Sequence, residues 1–177
     1  SHMGEFIVSG NNAKTFLQNV TTNDINNLEA GKVQYSAFCN DSGGVIDDLL
    51  VYHLGDYYML VVNASNIEKN FEWLSSKLID DVSLEDQSDT ISLLALQGPL
   101  SRVYLKKLYP KIEKLKYYET LLPDNDKVVV ARTGYSGELG FEIYAPNSII
   151  LKLWNEILSL SDDVLPVGLG CRDSLRL

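Results

Sequence analysis

Histidine and cysteine are almost missing from this chain. His2 and His53 are the only histidines in 177 residues, which leaves little room for a Ser/His/Asp machine. His53 ends an apolar strand and reads as structural. Cys39 and Cys171 stand far apart, with no CxxC or Cys/His spacing, so two free thiols are expected rather than a disulfide or a metal site. Positive charge is also scarce. Lys+Arg number 15 against 24 Asp+Glu, a formal charge of -9, which argues against a protein that tracks a nucleic-acid backbone. Anionic partners would have to be met locally. No apolar run approaches the ~20 residues of a membrane span, and the start shows no signal peptide, so no membrane contact and a cytoplasmic location are expected. No low-complexity linker divides the chain. Its length fits one domain over residues 1–177, with 1–85 and 86–177 as the internal division into subdomains.

What is present is an irregular alternation of short strands and helices. The pattern predicts a strand at 6–8, then a helix capped by Asn12 with Phe16, Leu17 and Val20 on one side. Strands follow at 32–39, 45–53 and 57–63, with 40–44 as a hairpin turn. The next helix has Ser65 and Glu68 at capping-box spacing and Ile67, Phe71, Leu74 and Leu78 at helical period. The second half has a similar plan. Strands are expected at 82–85 and 92–96, then a helix at 100–108 opened by Gly98-Pro99, then strands at 116–121, 127–132 and 141–144. An amphipathic helix at 147–160 points Ile150, Leu153, Trp154 and Leu158 inward. The sum is an α+β fold of two related halves, with largely antiparallel or mixed sheets and packed helices, rather than a doubly wound parallel sheet.

Asp47 and Asp48 sit side by side in an otherwise apolar run that starts at Gly43-Gly44 and ends at Tyr52. Successive strand residues face opposite ways, so Asp47 shares a face with Leu49 and Val51, and Asp48 shares one with Leu50 and Tyr52. Neither acid has a plainly polar side to point to. An ionised carboxylate taken out of water without a partner is costly, so each is either paired internally or looks into a polar cavity. Carboxylates held in this way are candidates for chemistry.

Two further segments stand out. Residues 132–142, Arg-Thr-Gly-Tyr-Ser-Gly-Glu-Leu-Gly-Phe-Glu, place three glycines between two strands, with Tyr135 inside the loop and Glu142 at the start of the second strand. Tyr135 could stack on a flat ring, and Glu142 could accept paired hydrogen bonds from an amino-substituted heterocycle. A plain hairpin is the alternative, and a Rossmann fingerprint is excluded because no helix follows the glycines. Gly168-Leu169-Gly170-Cys171-Arg172-Asp173 opens a last helical segment. Arg172 near its amino end is unfavourable against the helix dipole, which suggests a partner elsewhere, a bound carboxylate or an acid such as Asp173.

Three segments together resemble one family: Asn-Asp-Ser-Gly-Gly-Val-Ile-Asp-Asp-Leu-Leu-Val-Tyr at 40–52, Arg-Thr-Gly-Tyr-Ser-Gly-Glu-Leu-Gly-Phe-Glu-Ile-Tyr at 132–144, and Gly-Leu-Gly-Cys-Arg-Asp-Ser-Leu-Arg-Leu at 168–177. They are similar to the aminomethyltransferase, or T-protein, of the glycine cleavage system. The likeness extends to 60–69 and 95–99 and so runs over essentially the whole chain. Ser1-His2-Met3-Gly4-Glu5 also matches the family, although Ser1-His2-Met3 reads equally as a cloning remnant.

The resemblance implies a folate-binding domain that moves the methylene of an aminomethyl group, carried on the lipoyl arm of H-protein, to tetrahydrofolate, releasing ammonia and needing no metal. It assigns the central catalytic role to Asp48 and pterin contacts to Tyr135 and Glu142. It gives Arg172 to the folate and its acidic tail, with Met3, Tyr35 and Asn63 near the pocket. Family members continue into a carboxy-terminal barrel domain and begin with an earlier segment. Both are absent here, so this piece is expected to fold, with weak binding or no turnover by itself. Related folate proteins include methyl and demethylase enzymes, sarcosine-type dehydrogenases and an iron-sulfur assembly factor with a Cys-Tyr loop motif. Gly134-Tyr135-Ser136-Gly137-Glu138 departs from that last motif and favours the T-protein. A non-catalytic folate-binding or scaffold module is the competing expectation.

Overall fold

The computed structural model describes residues 3–123 and 127–176. Ser1 and His2, on which the alternative origins of the start bear, lie outside the described residues. The chain divides into two compact units, Ser1–Thr90 and Ile91–Leu177.

In the first unit β1 (Met3–Ser9), β2 (Val33–Cys39), β3 (Val45–His53), β4 (Tyr58–Asn63) and β5 (Ser83–Asp86) form one sheet in the order β2-β3-β4-β1-β5. Every pairing is antiparallel. Helices α1 (Ala13–Val20) and α2 (Ile67–Ser75) belong to the same unit. Alternation along the strands decides what each face carries. Phe6, Val8, Leu49, Val51, Leu60 and Val62 cluster with Phe16, Leu17 and Leu74 of the helices. Each such side chain contributes roughly 1.5–3 kcal/mol by leaving water, so this layer fixes the register of the strands. Met3, Tyr35, Leu50, Tyr52, Met59 and Val61 therefore point to the other face.

The second unit contains β6 (Ile91–Gln97), α3 (Ser101–Leu105), β7 (Thr120–Leu121), β8 (Val129–Ala131), β9 (Gly140–Pro146), α4 (Asn147–Leu158) and α5 (Leu169–Arg176). Its sheet, ordered β6-β9-β8-β7, is again antiparallel throughout. Val130, Phe141, Ile143 and Ala145 pack with Leu105, Leu153 and Ile157 of α3 and α4. Glu142, between Phe141 and Ile143, takes the opposite face. Among the described residues no helix is long and apolar enough to cross a membrane.

Several local expectations need correction. Asn12 sits at the start of α1, yet its side chain does not cap the helix; its amide donates to the Asp80 carbonyl instead. The Ser65/Glu68 capping box does not form, because 64–66 make a 3-10 turn and α2 starts at Ile67. That helix stops at Ser75, where the hydroxyls of Ser75 and Ser76 donate to carbonyls one turn back, and Leu78 is left exposed. In α4 Ile150 and Leu153 pack inward as expected, while Trp154 is exposed and the next fully buried position is Ile157 rather than Leu158. The strand expected at 116–121 shrinks to Thr120–Leu121, since Tyr118 takes a left-handed backbone at φ 62 that no strand continues through.

Candidate functional site

Asp47 and Asp48 leave β3 on opposite faces, and one amide ties them together. The pairing of β2 with β3 slips between Phe38 and Cys39, so that Phe38 faces Asp47 while Cys39 faces Val45. This bulge leaves Ile46 without an opposite residue, and the Ile46 carbonyl accepts from Lys69 Nζ at 2.9 Å. From the last position of β4, Asn63 Nδ2 donates to Asp47 Oδ1 at 2.9 Å and to Asp48 Oδ1 at 2.7 Å. The Tyr35 hydroxyl donates to Asp48 Oδ2 at 2.8 Å. Met3 is the backbone partner of Asn63 across the β1–β4 pairing. Four residues singled out from the sequence, Met3, Tyr35, Asp48 and Asn63, thus lie at one end of one sheet face.

The two acids differ in surroundings. Asp48 is half-buried, whereas Asp47 is 9% exposed on the side that carries the helices. Asp47 Oδ2 accepts from Asn70 Nδ2 at 2.6 Å, and Asn70 is fully buried. Burial alone would raise the Asp47 pKa. Hydrogen bonds from Asn70, Asn63, Asn66 and the Asp48 backbone outweigh it and hold the carboxyl below its ordinary value. Amides rather than a cation therefore answer the charge. Asn66 and Asn70 are absent from the sequence expectations. Asn70 nevertheless leaves a signal, a polar residue among Ile67, Phe71 and Leu74 on the apolar stripe of α2.

In the second unit the glycine loop joins β8 to β9 and is closed over the Gln97 side chain. Gln97 Nε2 donates to the carbonyls of Thr133 and Phe141, both at 3.3 Å, and Gln97 Oε1 accepts from Ser136 Oγ at 2.8 Å. A Cβ at Gly140 or at Gly134 would collide with the Gln97 side-chain amide. Gly134 also has φ +151, so both glycines are there for close approach to a side chain. Gln97 is a further residue the sequence reading missed.

The loop carries Tyr135, and the Arg172 guanidinium of α5 lies over its ring at 4.7 Å from the centroid. Arg172 Nη1 is also 3.7 Å from Asp173 Oδ1, whose side chain is exposed, so this ion pair is of little energetic weight. Glu142 is buried, and its Oε2 accepts from Thr133 Oγ1 at 2.6 Å and from the Tyr144 hydroxyl at 3.3 Å. Tyr135 and Arg172 are thereby in contact, and Glu142 is anchored to the base of the same loop through Thr133. Among the described residues no group of three or more His, Cys, Asp or Glu side chains could hold a metal ion.

The chain matches the family described as "GCVT N-terminal domain" over residues 1–177, and it belongs to that family. Among curated relatives, it is 48% identical to an aminomethyltransferase from Chloroherpeton thalassium, covering 100% of this chain and 51% of the relative. It is likewise 48% identical to an aminomethyltransferase from a Geobacillus species, covering 99% and 50%. Among solved structures, glycine cleavage system aminomethyltransferase T from Bartonella henselae matches with a TM-score of 0.91 at 34% identity, over 99% of this chain and 48% of that one. The chain thus spans about half the length of the relatives it matches.

Proposed function

We propose that this chain is the tetrahydrofolate-binding part of an aminomethyltransferase of the glycine cleavage system. In this reading the methylene of an aminomethyl group on the lipoyl arm of H-protein passes to tetrahydrofolate. The carbon–sulfur bond to the lipoyl arm and the bond to the amino group break, two bonds to folate nitrogens form, and ammonia and reduced lipoate leave. The observation that carries the proposal is the setting of Asp48. Its carboxylate is half-buried on an apolar sheet face and oriented by one donor on each oxygen, Tyr35 and Asn63. A carboxylate offers about four acceptor positions, so two remain for a ligand.

Asp48 would accept a hydrogen bond from the reduced pterin, raise the electron density of its attacking nitrogen and stabilise the cationic methylene as it forms. A fixed negative charge suits a positively charged transition state. Tyr135 would stack on the pterin, Glu142 would accept from its amino-substituted edge, and Arg172 would meet the acidic tail. Met3, Tyr35 and Asn63 would complete the contacts around the reacting end. Holding the two reactants in register would supply most of the remaining acceleration.

The competing reading, a folate-binding module without transferase activity, is separated by Asp48→Asn. An enzyme loses transfer from loaded H-protein by about 10²–10⁴-fold, the range for a positioned acid–base group, while folate affinity changes little. With the remaining half of the enzyme present, a wild-type protein that binds folate and releases no ammonia from loaded H-protein overturns the catalytic half of the proposal.

A further inference from the structure

We infer that Asp47, gripped from behind by Asn70, is a positioning residue that holds the plane of the Asn63 amide beside Asp48, and so keeps two acceptors turned toward donor groups of a ligand at this end of the sheet. The ligand's identity rests on the folate reading above; the orientation of the amide does not.

The argument starts from the proton count. An amide nitrogen has two protons, and Asn63 uses one on Asp47 at 2.9 Å and the other on Asp48 at 2.7 Å. Turned over, the amide would press its oxygen against two carboxylates that can only accept. The observed orientation is therefore imposed by chemistry. Asn63 Oδ1 is turned away from both acids and takes no hydrogen bond from the described residues. It stands as a second acceptor next to the Asp48 carboxylate.

Asp48 alone could not hold this arrangement. It requires the nitrogen of Asn63 to face it but leaves the amide plane free to swing about that one hydrogen bond, so holding the plane, and with it the direction of Oδ1, needs a second acid that cannot move. Asp47 meets that requirement, because it is buried against α2 with its other oxygen on the fully buried Asn70 at 2.6 Å. The Asn70 amide is itself fixed, since only its nitrogen can face a carboxylate. The chain of command runs from α2 through Asp47 and Asn63 to the environment of Asp48.

Two adjacent acceptors demand donors. A tetrahydropterin ring carries N–H groups at positions where the fully oxidised ring has bare nitrogen lone pairs, which would face two acceptors and be repelled. Asp47 thus belongs to the selectivity of the site although it touches no ligand.

The test compares the wild-type chain with Asp47→Asn and Asn70→Ala, titrating each with tetrahydrofolate and with folic acid by calorimetry. The wild type should prefer the reduced ligand. In Asp47→Asn that preference, read as the ratio of the two Kd values, should fall about tenfold, as expected for losing a hydrogen bond to a charged group, with a smaller fall in Asn70→Ala. A merely structural role lowers stability and leaves the ratio alone, so folded variants whose ratio stays unchanged overturn the inference. If Asp47→Asn does not fold, Asn70→Ala decides by the same ratio. A ligand-free readout separates this inference from the folate reading. The Asn63 side-chain amide protons, followed by NMR exchange with solvent, should be protected in the wild type and labile in both variants. Equal protection in all three proteins overturns the inference, while lability in the variants supports it even if the wild type binds neither folate.

Discussion

At the residue scale two adjacent acids share the Asn63 amide, and Asp47 takes its second side-chain hydrogen bond from the Asn70 amide. Asp47 makes a direct prediction about pH. Its carboxyl is held below the ordinary value of 3.8 in the folded chain, so its contribution is fully present above that value and is lost as pH falls through the lower folded value. The wild type should therefore melt higher than Asp47→Asn by an amount worth about 1–3 kcal/mol near neutrality, the range for hydrogen bonds to a charged group. That margin should hold down to about pH 5 and shrink below about pH 4, measured by thermal melts across the range. A margin that grows on acidification contradicts the assignment. The anomaly of two adjacent acids in an apolar run was legible in the sequence. That Asn63 would bridge them was not, because it depends on the β3–β4 register and the bulge before Asp47, which no local pattern encodes.

At the scale of elements, the hydrophobic period located the helices and strands well and their ends poorly. Strand β3 runs from Val45 to His53, the range expected from its alternation and bounding turns. The start of α2 was misplaced because residues 64–66 make a 3-10 turn ahead of it and no side chain caps the helix. The glycine loop shows the same limit. Its three glycines were visible, while the reason for two of them, Gly134 and Gly140, the Gln97 side chain inserted from the end of β6, was not. Gly140→Ala should therefore expel the Gln97 amide and lose its contacts to Thr133, Phe141 and Ser136. The expected cost is about 1–3 kcal/mol, with a weaker hold on Tyr135. Adding Gln97→Ala should cost much less in the Gly140→Ala background than in the wild type, a coupling that thermal or denaturant melts of the four proteins would reveal. Strict additivity would show that the close approach carries no energy.

For the whole molecule, the fold class was legible because both halves repeat a simple rule, an antiparallel sheet with apolar residues toward its helices on one face. In each unit the candidate residues borne by the strands lie on the other face: Met3, Tyr35, Asp48 and Asn63 in the first, Glu142 in the second. The loop and helix α5 contribute Tyr135 and Arg172. The central claim is that these residues bind a reduced folate. Its most direct test is calorimetric titration of this chain with tetrahydrofolate, beside Tyr135→Ala. Saturable heat is expected from the wild type, with affinity weakened at least about tenfold in the variant, in line with the worth of stacking a flat ring on an aromatic side chain. A wild-type protein that gives no heat and no thermal shift with excess ligand, or a variant that binds as tightly as the wild type, would contradict it.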